Sequence, residues 1–447
     1  MKTKTVLIIL LASLACATFS QARQAELPEN FVRLSGQNSV ESAIREANSR
    51  AENNERFWVG YRTDLRDDLV RKGRVYIHDN GGVSWYHGDE NWFWDEDNDD
   101  LKTTAYRALA EMGDDEAKEE LKKRRRQVVM FSPEDYAIYF LLDKGSSQPQ
   151  RVQFLHFDHV KRLRGIKTYW AAKLPANGSF SFLKNIVENA AAPDRVRKPA
   201  VFLTSLHDTP ETIPFLKRTA ASDEDYDVRK TATFWLSQIP VEESFDALLD
   251  LYEKEESIKL KGEIVFALSQ HKSERSTPKL AEIARSKEPF HVREKAVFWL
   301  GQTNEESALD VLQEIYDENA DSRLKEKIIF SISQHKSERS PKILIDIAEN
   351  DSDRHAREKA IFWLGQIAGK KSLEVLRGIV VDDDETKIQE KAVFAISQNR
   401  DRDEATKILL DIARNHKNPH VRKKAIFWLG QTDKSKALEL YKDILKN

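Results

Sequence analysis

The chain has one cysteine in 447 residues, Cys16, and only 3 methionines, 13 prolines and 16 glycines. A single cysteine cannot close an intramolecular disulfide or build a thiolate zinc site. If Cys16 leaves with the segment that holds it, a cysteine nucleophile is excluded too. Glycine and proline are too scarce for a largely disordered chain. Net charge is also small: 71 Lys+Arg stand against 74 Asp+Glu, a formal −3. No strongly basic field is therefore offered to nucleic acid. Long apolar runs are missing as well. Outside residues 6–15, no stretch approaches the roughly 18 apolar residues of a membrane-spanning helix.

The N-terminus reads as an export signal, residues 1–22. Lys2 and Lys4 form a positive start, Val6–Ala15 is the short apolar run, and Ser20-Gln21-Ala22 offers small residues for cleavage. The expected location is periplasmic or extracellular. Leu14-Ala15-Cys16 fits a lipid-attachment signal in part, so a membrane anchor at Cys16 stays open, and it would be the only membrane contact.

Residues 23–55 read as a linker and a short helix, with Val40, Ala43 and Ala47 on one side at helical spacing. Residues 56–160 read as a small β-containing region. Its runs are 56–62, 74–78, 83–87, 135–142 and 151–157, rich in aromatic and β-branched residues, and Asn80-Gly81 marks a hairpin. Helices are expected at 101–112 and 116–126. The acidic stretch Asp89–Asp100 spaces Asp95, Asp97 and Asp99 like a calcium loop. Asp100 and Tyr106, however, stand where that loop needs glycine and a bidentate glutamate, and it reads as a solvated loop. The basic run 121–126 reads as a solvated helix end. His156, Asp158 and His159 are metal-ligand types without a third and fourth ligand nearby. With His78, His87 and Asp89 they are the candidates for an alternative reading, an enzyme or small-ligand module in this region. The expectation is no catalytic, cofactor or metal site.

From about residue 161 the chain repeats. Gln238, Gln270, Gln302, Gln334, Gln366, Gln398 and Gln431 close similar segments, 32 residues apart and 33 at the last step. A fixed period in this range marks a solenoid. Three copies are nearly identical: VREKAVFWLGQ at 292–302, AREKAIFWLGQ at 356–366 and VRKKAIFWLGQ at 421–431. Each is followed by a short polar link and a second apolar helix, so the two helices must run antiparallel. Counting back from the glutamines puts Phe202 and Trp170 in the recurring aromatic register, which gives about nine units. Trp235, Trp299, Trp363 and Trp428 return in every second unit, with Ala267, Ser331 and Ala395 between them, as core filling that alternates large and small.

The register of Val292, Arg293, Ala296, Leu300 and Gly301, with Val228, Arg229 and Ala232, resembles the HEAT repeat, in the short form named after phycobilisome lyases. The resemblance covers residues 161–447. It implies a mostly α fold: a right-handed α-solenoid of about nine HEAT-like helix pairs, here behind a small mixed α/β region. It implies no one function, because members include scaffolds, lyase subunits and a metal-dependent hydroxylase. The hydroxylase members hold two irons with His-Glu pairs. This chain contains no His-Glu dipeptide.

One departure from the repeat stands out. Phe202, Phe234, Phe266, Phe298, Phe330, Phe362, Phe394 and Phe427 occupy a position usually polar. At about 100° per residue, Phe298 falls away from the arc of Val292, Ala296, Trp299 and Leu300. The register is either a ladder wedged between units or a partly exposed stripe that binds a partner. The identical loops at 271–276 and 335–340 (HKSERS) are either a recent duplication or a repeated contact loop. The expectation is an exported, non-catalytic scaffold for protein partners, without nucleic acid and without a cofactor.

Overall fold

The computed structural model describes residues 29–66, 74–77, 83–87, 90–92, 136–156, 160, 163–303, 305–318, 321–367 and 370–446. The expected export signal with Cys16, the acidic residues 93–100, the helices at 101–112 and 116–126 and the basic run lie outside them. So do His78, Asp89, Asp158 and His159.

The N-terminal region contains eight strands among the described residues: β1 Phe31–Arg33, β2 Arg56–Arg62, β3 Arg74–Ile77, β4 Val83–His87, β5 Glu90–Trp92, β6 Tyr136–Asp143, β7 Arg151–His156 and β8 Thr168–Lys173. Strands β3, β4 and β5 form an antiparallel sheet of their own. The other five make a mixed sheet in the order β1-β8-β2-β6-β7. Its alternation is plain: Phe57, Val59 and Tyr61 face one way, Trp58 the other. Trp58, Tyr139, Leu155, Leu163 and Trp170 make one apolar core. Gly60 is obligatory there, because a Cβ would sit 2.5 Å from the Tyr139 ring. On the opposite face Phe57 meets Tyr169 edge-on and Phe140 meets Phe182. Helix α1, Val40–Arg50, covers that side; a reciprocal cap between Ser39 and Ser42 starts it.

Three short segments differ from expectation. Residues 31–33 and 90–92, read as linker and acidic loop, are strands. Trp170, placed in the helical register, lies on β8, paired in parallel with β1 and β2. The period alone could not separate these cases, because strand pairing depends on partners far away in sequence.

The described helical array begins at α2, Ala176–Glu188. Eight pairs follow. They are α3 Asp194–Ser205 with α4 Thr212–Ser222, α5 Tyr226–Gln238 with α6 Glu242–Lys254, α7 Ile258–Gln270 with α8 Ser276–Arg285, and α9 Phe290–Gln302 with α10 Glu306–Glu318. Then come α11 Ser322–Gln334 with α12 Ser340–Asn350, α13 Arg354–Gln366 with α14 Lys370–Asp382, α15 Thr386–Gln398 with α16 Arg402–Asn415, and α17 Pro419–Thr432 with α18 Lys434–Lys446. The first helix of every pair carries the phenylalanine register. Each pair buries one stripe from each helix, as Val292, Ala296 and Leu300 meet Leu309, Leu312 and Ile315. The chain forms two compact units, residues 1–235 and 236–447.

Candidate interaction surface

The repeat surface divides into side chains that join neighbouring pairs and side chains left to solvent. The signature arginine belongs to the first group. Arg293 Nε donates to the Ala284 carbonyl at 3.0 Å, and Arg357 Nε to Ala348 at 3.0 Å. Arg197 and Arg229 do the same to Val187 and Ala220. Each satisfies a carbonyl at the C-terminus of the preceding second helix, where intrahelical donors run out. Arg197 and Arg357 also pair with Asp223 and Asp383, just past the next second helix.

The HKSERS loops do the same kind of work. His271 Nε2 reaches the Ile239 carbonyl at 3.0 Å while its Nδ1 accepts from the Ser273 N–H. His335 repeats the arrangement with Glu305 and Ser337. These bonds select the tautomer with hydrogen on Nε2, and burial holds the His271 imidazole below its ordinary pKa. Asn399 replaces histidine one block later and keeps both bonds: its Nδ2 donates to the Ile367 carbonyl and its Oδ1 accepts from Asp401 N–H. Arg275 and Arg339 in the same loops bridge to Glu242 with Asp246 and to Glu306 with Asp310. The loops are staples between pairs. The hint lay in Asn399, the one residue of the drifted copy able to imitate His.

A second set of joints runs along the first helices. Glu294 pairs with Lys327 at 3.2 Å, Glu326 with Lys359 at 2.6 Å, Glu358 with Lys391 at 3.4 Å and Glu390 with Lys424 at 4.0 Å. The acid always lies four residues before its phenylalanine and the lysine three before the next one. The Lys359 hydrogen bond, with His355 behind it, holds the Glu326 carboxyl below its ordinary range. The ladder stops at Gly262, which occupies the acid position opposite Lys295.

The aromatic register is itself a ladder. Phe266 packs on Trp299, Phe330 on Trp363 and Phe394 on Trp428, with centroids 4.7–5.1 Å apart. Phe298 stacks on Phe330 and Phe362 on Phe394 at interplanar angles of 14° and 19°. The tryptophans, read as core filling, therefore sit at the seams. Only Trp235 is buried outright; Trp299, Trp363 and Trp428 are partly exposed. Their alternation with small residues has a steric cause. A Cβ on Gly301 would come within 2.7 Å of the Ser331 carbonyl, and one on Gly365 within 2.7 Å of that of Ala395. The helices approach closely where the next tryptophan position is small.

What remains exposed is narrow. Phe202 is buried, covered by Phe154 of β7. Phe234, Phe266, Phe298, Phe330 and Phe394 are half-buried, while Phe362 and Phe427 are 37% and 52% exposed. One turn beyond Phe298, Phe362 and Phe427 stand Gln302, Gln366 and Gln431, all exposed. In the stacked pairs Phe298–Phe330 and Phe362–Phe394 each ring covers one face of the other, while Phe427 has no ring stacked on it among the described residues.

Two polar groupings in residues 1–235 resemble chemistry without offering it. Tyr61 Oη lies 2.8 Å from Ser179 Oγ, which lies 2.9 Å from His207 Nε2; His207 Nδ1 donates to the Leu203 carbonyl at 2.7 Å. This Ser–His pair is sealed from solvent. Burial pushes the His207 imidazole down to about 4 and the Tyr61 hydroxyl up. Asp194, Asp225 and Asp227 converge, but Lys198 Nζ lies 3.2 Å from both Asp194 and Asp227. Of the alternative-site candidates, His87 is on β4 and His156 ends β7, in different sheets. Among the described residues, no helix is long and apolar enough to cross a membrane.

The helix pairs and their inter-pair staples define an α-solenoid. Residues 245–333 and 341–415 match the family model of HEAT repeats, and this part of the chain is built of HEAT repeats. No curated protein matches it significantly. It is similar to solved structures of human deoxyhypusine hydroxylase in complex with glycerol (14% identity, 58% of this chain and 97% of that one, TM-score 0.26). It is also similar to the CpcE–CpcF complex of phycocyanin lyase from Nostoc (13%, 57% and 94%, TM-score 0.27). Kap121p is a further similar chain (13%, 59% and 34%, TM-score 0.33). At these TM-scores the likenesses bear on neither site nor activity.

Proposed function

We propose that the chain is a non-catalytic scaffold that takes a protein partner along the phenylalanine stripe of its first helices. The observation that carries this is the contrast between the two helix faces. On the second helices Arg285, Arg377 and Arg414, and in the loops before them Arg275 and Arg339, are engaged with acids of neighbouring pairs. On the first helices, Phe362, Phe427, Gln302, Gln366 and Gln431 face solvent. A row of aromatic edges flanked by amides suits apolar protein side chains and backbone groups.

Crosslinking and capture with the chain as bait test this reading. The pair of substitutions Gln302→Arg and Gln366→Arg, at exposed positions, should reduce capture at least about tenfold with helicity retained. Phe362→Ser should do the same. Undiminished capture by both variants would sink the proposal. A location outside the cytoplasm is part of this proposal, supported by Lys2, Lys4, the apolar run Val6–Ala15 and the small residues at Ser20–Ala22. Fractionation of cells expressing the chain with and without residues 1–22 checks that; retention of both forms in the cytoplasm refutes it.

A further inference from the structure

Six successive first helices, α7 to α17, carry a glutamine four residues after the phenylalanine: Gln270, Gln302, Gln334, Gln366, Gln398 and Gln431. None is buried, and Gln302, Gln334, Gln366 and Gln431 are exposed. Other positions of the same helices change. Four residues before the phenylalanine stand Gly262, Glu294 and Lys423. The two halves of the 64-residue block differ at the tryptophan position and again two residues later, yet both keep the glutamine. Core packing does not account for a solvent-facing amide held six times. Three of the amides are also held in one orientation. Ser269, Ser333 and Ser397 Oγ donate to the carbonyls of Phe266, Phe330 and Phe394 at 2.6 Å. Each hydroxyl oxygen then accepts from the glutamine that follows it, with Gln270, Gln334 and Gln398 Nε2 at 3.1 Å. That bond uses one amide hydrogen and leaves one N–H and the Oε1 acceptor. In the alternate units Gly301, Gly365 and Gly430 replace the serine, and Gln302, Gln366 and Gln431 have no hydrogen-bond partner among the described residues. Units lie on both sides of Gln302 and Gln366, so stacking a further unit at either end leaves the row open.

We propose that this row binds a partner segment in the polyproline-II conformation, held through its backbone and apolar at every third residue. This rests on the scaffold reading and names the form of chain that the stripe takes. One N–H beside one C=O is the complement of a peptide group. A helix of a folded partner, or of a second copy of this array, has its backbone groups bonded internally and offers them nothing. A β-strand leaves groups free but turns residue i+3 to the opposite side. Polyproline II has no internal bonds and turns once in three residues, about 9 Å. Packed helices lie about 8–10 Å apart, so every third residue of such a segment meets the next glutamine. The side chain at that period reaches the phenylalanine one turn away. Proline at positions whose N–H is unused fixes the conformation before binding and lowers the ordering cost.

The probe is a fluorescent peptide of tandem Leu-Pro-Ser triplets, polyproline-II by circular dichroism, titrated with the full chain and followed by anisotropy. Saturable binding is expected, with affinity that rises as the peptide grows from two triplets to six. A peptide of the same composition in shuffled order, which breaks the period of three, should bind at least about tenfold more weakly. Gln302→Met and Gln366→Met together keep the side-chain length and remove the hydrogen bonds. They should weaken binding at least about fivefold with helicity unchanged. No saturable binding of the triplet series, equal binding of the shuffled peptide, or indifference to the paired substitution overturns the proposal. A dimer in sedimentation that the paired substitution dissociates also overturns it, since the occupant would then be a second copy. So does tighter binding of cellohexaose than of the peptide, since the amides would then serve a glycan. If capture of a protein partner still depends on Phe362 while the triplet peptides fail, the scaffold reading stands and this inference falls alone.

Discussion

Gly365→Ala is the sharpest perturbation of the solenoid. The added methyl would lie 2.7 Å from the Ala395 carbonyl oxygen and 2.9 Å from its Cα and Cβ. Two of these three atoms are backbone, so no rotamer change relieves the clash, and α13 and α15 must separate. Overpacking of this kind costs about 1–3 kcal/mol. Replacing a helix-interior glycine by alanine returns about 0.5–1 kcal/mol. The net expectation is a destabilisation of about 1–2 kcal/mol. Gly378→Ala is the built-in control. It makes the same chemical change inside α14, where a Cβ meets nothing within 4 Å, and it should stabilise by about 0.5–1 kcal/mol. The two variants are compared by urea denaturation followed at 222 nm, with the slope checked for constancy because long repeat arrays can lose cooperativity. Opposite shifts of the midpoint support the close approach. If Gly365→Ala is stabilised as much as Gly378→Ala, α13 and α15 do not meet as described. The Phe362–Phe394 stack and the reasoning about the stripe would then fall with that contact.

Other outcomes follow from the same joints. Gly262→Glu should extend the Glu–Lys ladder to Lys295, with room shown by a Cβ 3.9 Å from the lysine Cγ. Relative to Gly262→Gln it should gain up to about 1 kcal/mol in denaturation, an advantage that high salt erases. His271→Asn should cost little, since Asn399 makes the equivalent bonds, whereas His271→Ala should lose about 1 kcal/mol or more. The folded pKa of His271 lies below its unfolded value, so its contribution is present above the unfolded pKa and lost as pH falls. His271→Asn should flatten that part of the stability–pH curve. His207 shows the larger effect. Its pKa falls from 6.5 to about 4 on folding, so stability present above pH 6.5 declines toward pH 4, by about 3 kcal/mol. Acid titration of the wild type against a variant at this position checks it, and a flat wild-type curve between pH 6.5 and 4 refutes it.

Much of the architecture was legible in residues alone. The period, the helix pairs, α1 and five of the eight described strands follow from spacing and alternation. So do the phenylalanine register and the large–small alternation at the tryptophan position, because a fixed period returns the same residue type to the same helix position. The identical histidine loops show in the sequence as repeats, but their role does not. The role depends on which carbonyl of the preceding pair lies 3.0 Å away, and spacing within one loop carries no trace of that carbonyl. The Glu–Lys ladder was hidden for the same reason, since its partners lie about 33 residues apart on different helices.

The amino-acid sequence by itself determined a stacked array of antiparallel helix pairs, because each pair has an apolar stripe it cannot bury alone. Tertiary structure decided what becomes of each aromatic. Trp170 becomes part of a sheet because β1 and β2 offer its backbone partners. Phe202 is buried because Phe154 covers it. Phe298 and Phe330 spend their faces on each other. Phe427 stays open because no described helix lies on α17 where α11 lies on α9. One side-chain type in one register thus meets different neighbours, and exposure is a property of neighbours.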